Sequence, residues 1–460
     1  MVNVLLVPEL RELLAEKNYE ALRNFCESFH PANVAEFLSA LTPLEIWEIL
    51  SQLTPSLRGE IFSHLDEKVQ RKMISTLGRE IIGKLLSEMP PDDRVDLMKR
   101  LPRKQQEALI PAMAQAERED LRRLIAYPEG TAGAIMTSEY AVLHPDLTVD
   151  EALAKLRREA PDKETIYYCY VVDQNNRLVG FVSLKDLILA PPKSKIRDIM
   201  HEDVIYARVT DDQEEVARTI QKYDLLAIPV VDENQRLVGI ITHDDAMDVI
   251  QQEQQEDVEK LMAISGAHEV GAYMKLSTWE HFKSRIPWIL TLAILGFISG
   301  YIVQTYESIL LQVAILASFM PMLADTGGNA GSQSATLVIR ALALKEITTR
   351  DALKILVKEF KVAFLMSIVL ALVAYLRVML FIGHSTGTTA TIPPLKVGIA
   401  VAIALAIQVI SSTLIGAFLP LIASSFGFDP AVVASPMLTT VVDITGLFIF
   451  FSIAKIILGI

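Results

Sequence analysis

SPMLTTVVDITG, residues Ser435–Gly446, lies inside a long apolar run, Ala431–Ile457. Asp443 sits close to the middle of that run, and within it no basic residue comes before Lys455. Roughly 20 apolar residues suffice to cross a bilayer. A carboxylate at mid-membrane costs at least ~2.5–3.5 kcal/mol on insertion scales. Helical spacing puts Ser435, Thr439 and Asp443 on one face, with Gly446 close behind. A polar stripe with one acid reads as a wall facing water or an ion, because unpaired membrane acids mark pathways. The plainer alternative is an Asp bonded to a neighbouring helix for packing alone.

Working outward, the chain from residue 276 holds about five apolar segments. They are Ile286–Gln304; Ile309–Leu344, interrupted at Asp325–Gln333; Val362–Ile382, with Arg377 near its end; Val397–Phe426; and Ala431–Ile457. Bases crowd before the first segment (Lys283, Arg285) and between the second and third (Arg340, Lys345, Arg350, Lys354, Lys358, Lys361). The positive-inside tendency then puts the N-terminus in the cytoplasm, and five spans put the C-terminus outside. The loop Ala423–Pro430 carries no base, so charge supports only the first part of this topology. The interruption reads PMLADTGGNAGSQSATLVIRAL from Pro321. Its Gly327, Gly328 and Gly331, beside Asp325, Asn329, Ser332, Gln333 and Ser334, predict irregular backbone near membrane depth. Such backbone is tolerated only against protein or a water-filled cavity. Small residues packing helix against helix are the alternative.

The charge divides the chain. The first 275 residues hold 48 acids against 32 bases, and the remainder 8 against 11. An acidic soluble half thus precedes a membrane half. Such an acid excess argues against a nucleic-acid surface and suits divalent cations. Cys26 and Cys169 show no metal-ligand spacing and imply no pairing. The short apolar patch before Pro8 does not read as a signal peptide.

Residues 1–127 carry a repeat in which an apolar residue recurs every 12 positions: Phe29, Leu41, Leu53, Leu65, Leu77, Met89 and Leu101. Turn or cap chemistry follows each one. Thr42-Pro43 and Thr54-Pro55 read as an N-cap followed by Pro at the first helical position. Short helices joined by tight turns must stack to bury their apolar stripes, which predicts a small all-α superhelical domain.

Residues 128–250 contain a second repeat. VVDQNNRLVGFVSLKDLI, Val171–Ile188, returns as VVDENQRLVGIITHDDAM, Val230–Met247. The turns Asp173–Asn176 and Asp232–Gln235 are hairpin signals between β-branched runs. The pair resembles tandem CBS domains of α/β fold. In that family the Asp after the second strand contacts a nucleotide ribose, which implies Asp186 and Asp245 and a possible ATP. The alternative is that both simply cap the following helix. Residues 251–275 form an acidic connector of helix-favouring composition, read either as a solvated helix or as a lever tying the soluble domains to the membrane.

Acidic helical repeats, two CBS copies, an acidic connector and five spans carrying GGNAGSQSATL and TTVVDITG occur in that order. The chain resembles the MgtE-type magnesium channels over essentially its whole length. The resemblance implies a multidomain chain in the cell (inner) membrane: residues 1–127, 128–250, a connector or plug helix 251–275 and an α-helical transmembrane pore domain 276–460. It implies a homodimer, embedded in lipid, with one central pore lined mainly by the second and fifth spans. Asp443 matches the family's pore acid, Asn329 the Asn of its GGN motif, and Ser435 and Thr439 line the same path. The family has Asn-Pro where this chain has Ser435-Pro436. The resemblance further implies that cytosolic Mg²⁺ bridges acids and closes the pore. The matching residues are Glu60, Asp92 and Asp96 in the helical domain; Glu214, Asp224, Asp245 and Asp248 in the second CBS copy; and Glu253, Glu256 and Asp257 on the connector. Mutual repulsion would splay these parts when metal is scarce.

The competing readings are a secondary transporter coupling a divalent ion to H⁺ or Na⁺, and an intramembrane enzyme using Asp325 and Asp443. The first draws on the broken second segment and the two membrane acids, but no inverted repeat is visible. The second lacks any nucleophile–base pair or phosphate loop, and the chain is expected not to be an enzyme.

Overall fold

The 12-residue repeat resolves into short helices, each spanning one repeat: Pro31–Leu38, Pro43–Leu50, Pro55–Ser63, Glu67–Thr76, Arg79–Glu88, Pro91–Arg100 and Arg103–Leu109. The computed structural model describes residues 7–262, 264, 273, 277–382, 393–430 and 436–460. Pro31, Pro43, Pro55 and Pro91 stand at the helix starts, where a missing N–H costs nothing. Thr42 closes a capping box with Glu45, whereas the Thr54 side chain makes no cap bond. The repeat residues Leu41, Leu53, Leu65, Leu77, Met89 and Leu101 are buried, and Phe29 alone of the series is exposed. Phe29 instead packs at the rim against Phe25 and Phe37, with ring centroids 5.1 and 6.1 Å away. The stack is tight enough that a Cβ at Gly59 would stand 1.8 Å from the Glu88 carbonyl oxygen. Beside it, buried Arg58 donates from Nε to Glu88 Oε2 at 2.6 Å.

Each CBS copy builds a three-stranded sheet, Tyr140–Leu143, Thr165–Val172 and Leu178–Ser183 in the first, Ala207–Arg208, Ala227–Val231 and Leu237–Thr242 in the second. In both, the first pair is parallel and the second antiparallel. The hairpin turns form as read. Asp173 Oδ1 accepts from the backbone N–H of Asn175 and Arg177, Asp232 Oδ1 from those of Asn234 and Arg236, all at 2.8 Å. Asn176 and Gln235 complete the turns at φ 62° and 60°. The copies share an apolar seam including Tyr170, Val172, Ala227, Leu237 and Ile240. A larger core joins the helical domain to the second copy through Val216, Ile220, Ile228, Ile241 and Val249. The chain divides into two compact units, Met1–Ile250 and Gln251–Ile460. The helix His243–Leu261 begins in the second CBS copy and runs through the division.

Among the described residues of the membrane unit, four helices are long and apolar enough to cross a membrane: Thr278–Thr305, Thr349–Leu380, Pro394–Ser425 and Met437–Leu458. The expected interruption at Asp325–Gln333 is absent. One continuous helix, Met320–Ala343, carries the whole glycine stretch. The break falls earlier, at Val313, between the helix Glu307–Gln312 and a 3₁₀ turn Ala314–Phe319. The glycines instead allow close approach, as the packing alternative required. A Cβ at Gly416 would lie 2.2 Å from the Gly331 carbonyl oxygen. Arg377 is satisfied inside the unit: it donates to the Ser318 carbonyl at 3.3 Å, and its guanidinium lies 4.5 Å from the Phe319 ring centroid.

Candidate functional site

Asp443 lies on the helix Pro436–Leu458, which packs on both the glycine helix Met320–Ala343 and the helix Pro394–Ser425. It lines a cavity with Ser299, Met320, Pro321, Gln408 and Gly446. Its Oδ1 is buried and, among the described residues, accepts no hydrogen bond. Thr439, one turn before it, faces Gly328, where a Cβ would lie 3.2 Å from the Thr Cγ2. Ser435 lies outside the described residues. Asp325 and Asn329 are exposed on one face of the glycine helix, four residues apart. Asp325 is within electrostatic range of Asp443. A polar face exposed at membrane depth needs water or protein against it.

The second cluster is cytosolic. The helix Pro91–Arg100 and the start of His243–Leu261 bring Asp92 and Asp245 within electrostatic range, and likewise Asp93 and Asp248. Asp92 is pushed far above the usual carboxylate range by burial, and further by the charges of Asp245, Asp93 and Glu164. Its Oδ1 is buried and, among the described residues, unpartnered. Burial first, then the neighbouring acids, push Asp245 up to about 6 and Glu164 up to about 7. Asp93, Asp96 and Asp248 are also raised, mainly by burial in the cleft. All three still reach solvent, so their charges are partly screened. A carboxylate cluster with an unpaired buried oxygen fits a hard, oxygen-seeking cation.

Asp186 and Asp245 hold equivalent positions in the two copies, and each caps its helix. Asp186 Oδ2 accepts from the Ser183 hydroxyl and Asp245 Oδ2 from the Thr242 hydroxyl, both at 2.5 Å. Their charges diverge with their neighbours. Burial pushes Asp186 up, but bonds from Ser183 and His201 outweigh it and hold that carboxyl below its usual range. Asp245 faces acids instead. Both residues thus make the capping bonds of the alternative reading.

The other sequence-derived acids are scattered. Glu60 is exposed on its helix. Glu214 and Asp224 occupy opposite ends of the helix Gln213–Tyr223, Glu214 paired to Arg218 and Asp224 in a left-handed cap at φ 52°. At 1.5 Å per residue they are ~15 Å apart, too far to share one ion within a chain. Glu253, Glu256 and Asp257 lie along His243–Leu261. There Lys260 Nζ sits 2.8 Å from Glu256 and 3.0 Å from Asp429, all within the same unit. Burial lowers the Lys260 ammonium, but these two carboxylates outweigh it and hold it above its usual range. Leu261, at the end of that helix, packs on the cluster of Ala335, Ile339, Leu438 and Val442. Among the described residues no three His, Cys, Asp or Glu side chains gather as a direct metal cage. Sequence reading missed Asp93, Glu164 and Asp244, whose charge raises both Asp245 and Glu164, and Gln408 beside Asp443.

Comparison with known proteins adds the following. The divalent cation transporter family MgtE matches residues 320–453. The MgtE intracellular N domain matches residues 29–130. The CBS domain matches 132–193 and 196–252. The magnesium transporter MgtE of Thermus thermophilus is 41% identical over 341 residues, covering 74% of this chain and 73% of that protein. The magnesium transporter MgtE of Bacillus subtilis is 36% identical, covering 75% of this chain and 73% of that protein. A crystal structure of the soluble part of a magnesium transporter, 35% identical, superposes with a TM-score of 0.52, covering 54% of this chain and 97% of that one. With its helical domain, CBS pair and membrane unit all matched in order, the chain belongs to the MgtE family.

Proposed function

We propose that the chain is a Mg²⁺-selective channel for magnesium uptake, closed by cytosolic Mg²⁺. The observation that carries this reading is Asp443, an acid inside an apolar helix, which lines a cavity and whose buried Oδ1 takes no donor among the described residues. Mg²⁺ sheds water reluctantly and keeps several waters in protein sites. A single carboxylate per chain, doubled across a homodimer axis, suits a hydrated ion that must also leave. The exposed face of Asp325 and Asn329 supports a second copy lining the same path. In this reading the glycine helix is the second of five spans, the N-terminus is cytoplasmic and the C-terminus outside.

Gating follows from the acids. Without metal, Asp92, Asp93, Asp245, Asp248 and Glu164 repel one another across the cleft. Mg²⁺ bridging them, with Asp96 and the connector acids contributing, draws the helical domain onto the second CBS copy. The helix His243–Leu261 carries that change to Lys260–Asp429 and to Leu261 against the cluster that includes Val442, the residue before Asp443. A nucleotide at Asp186 is a further modulator in this scheme. The test is Mg²⁺ influx into proteoliposomes containing a Mg²⁺-sensitive dye. Wild type should pass Mg²⁺ and a folded Asp443→Ala should not; normal influx through Asp443→Ala would sink the assignment.

A further inference from the structure

One side chain joins the three helices that carry the polar motifs. Gln408, midway along Pro394–Ser425, has no exposed surface. Two glycines make its slot. A Cβ at Gly327 would lie 2.4 Å from Gln408 Nε2, and one at Gly446 2.3 Å from the same atom. Gln408 Nε2 donates to the Val442 carbonyl at 3.0 Å. A carbonyl can only accept, so the NH₂ end of the amide must face Val442 and the oxygen end must face away. That Oε1 is buried and, among the described residues, accepts from no donor; Asp443 Oδ1 is in the same condition. Both residues line one cavity.

Two residues lining one cavity, each with an oxygen that takes no donor among the described residues, suit an occupant that offers only donors. A hydrated divalent cation is such a body: its waters turn their oxygens to the metal and their hydrogens outward. We infer that Gln408 Oε1 is the second protein oxygen of the Asp443 ion site, a neutral acceptor for the water shell of Mg²⁺. The inference rests on the reading of Asp443 as the ion-path acid. The Val442 bond and the two glycines fix where the oxygen stands, so the motif glycines serve the ion by making room for Gln408.

The test titrates Mg²⁺ influx into proteoliposomes for wild type, Asp443→Ala and Gln408→Met. Met keeps the length of Gln and removes both its acceptor and its donor to the Val442 carbonyl. Half-saturating Mg²⁺ should rise about tenfold or more, the loss expected for one hydrogen bond to a charged partner. Maximal influx should stay within a few fold. A purely structural role would lower the amount of active protein and leave half-saturation unmoved, and that result overturns the inference. Should Gln408→Met fail to fold, Gln408→Glu carries the test. It retains an acceptor and, protonated in this buried slot, an O–H donor to the Val442 carbonyl, so half-saturation should stay at or below wild type, and a rise would count against the inference. Wild-type influx through Asp443→Ala would bring down the ion-path reading itself. A dead Asp443→Ala with an unshifted Gln408→Met would remove Gln408 alone.

Discussion

Replacing Asp245 with Asn should stabilise the metal-free cytosolic unit at high pH and do little at low pH. The carboxyl of Asp245 is raised from 3.8 to about 6 in the fold. At 1.36 kcal/mol per unit, that shift is worth about 3 kcal/mol once the group is ionised. Coupling to Asp92 and Asp93 and residual exposure reduce the figure to about 1–2 kcal/mol. The sign follows from proton binding. The folded state holds this proton more tightly than the unfolded state, so stability falls as pH rises from about 4 through 6, and the full penalty applies above pH 6. Asn keeps an oxygen for the Thr242 cap bond and removes the charge. Urea melts of a fragment ending at residue 262 should show the gain at pH 8, most of it gone at pH 4. Mg²⁺ at pH 8 should stabilise wild type more than Asp245→Asn. An equal effect at both pH values, or a loss at pH 8, would refute the repulsion on which the gate depends.

Two further outcomes follow from the packing. Lys260→Met removes the bridge between Glu256 and Asp429, a partly exposed pair worth up to ~1 kcal/mol; amide exchange over residues 251–261 should quicken several-fold, and unchanged exchange would make the bridge incidental. Gly416→Ala forces a Cβ to within 2.2 Å of the Gly331 carbonyl oxygen, so detergent-solubilised protein should lose about 1–3 kcal/mol; a melt at the wild-type temperature would show that the two helices stand further apart.

The cytosolic architecture was legible because its signals are local and repeated. A 12-residue apolar period with Pro at helix starts leaves one arrangement for Leu41 through Leu101, and the paired VVD–LVG hairpins repeat nearly residue for residue. The long-range clusters were not legible in the same way. Asp93, Asp244 and Glu164 look like solvated charges in sequence and become one group only when the helical domain docks on the second CBS copy. The glycine stretch misled for a physical reason: glycine permits both broken backbone and close helix approach, and only the neighbouring Ser412, Gly416 and Val442 decide between them. Gln408 did carry a signal, a lone amide within VAIALAIQVI, but its partner Val442 lies 34 residues away.

In the proposed function Mg²⁺ permeates past Asp443 through a pore governed by cytosolic Mg²⁺. Single-channel recording from excised patches tests it most directly. Unitary Mg²⁺ current steps are expected at low cytosolic Mg²⁺, with open probability falling as cytosolic Mg²⁺ reaches about the millimolar range, and no steps from Asp443→Ala. Mg²⁺ movement without unitary steps, following an imposed H⁺ or Na⁺ gradient, would contradict it in favour of a coupled transporter, as would wild-type currents through Asp443→Ala.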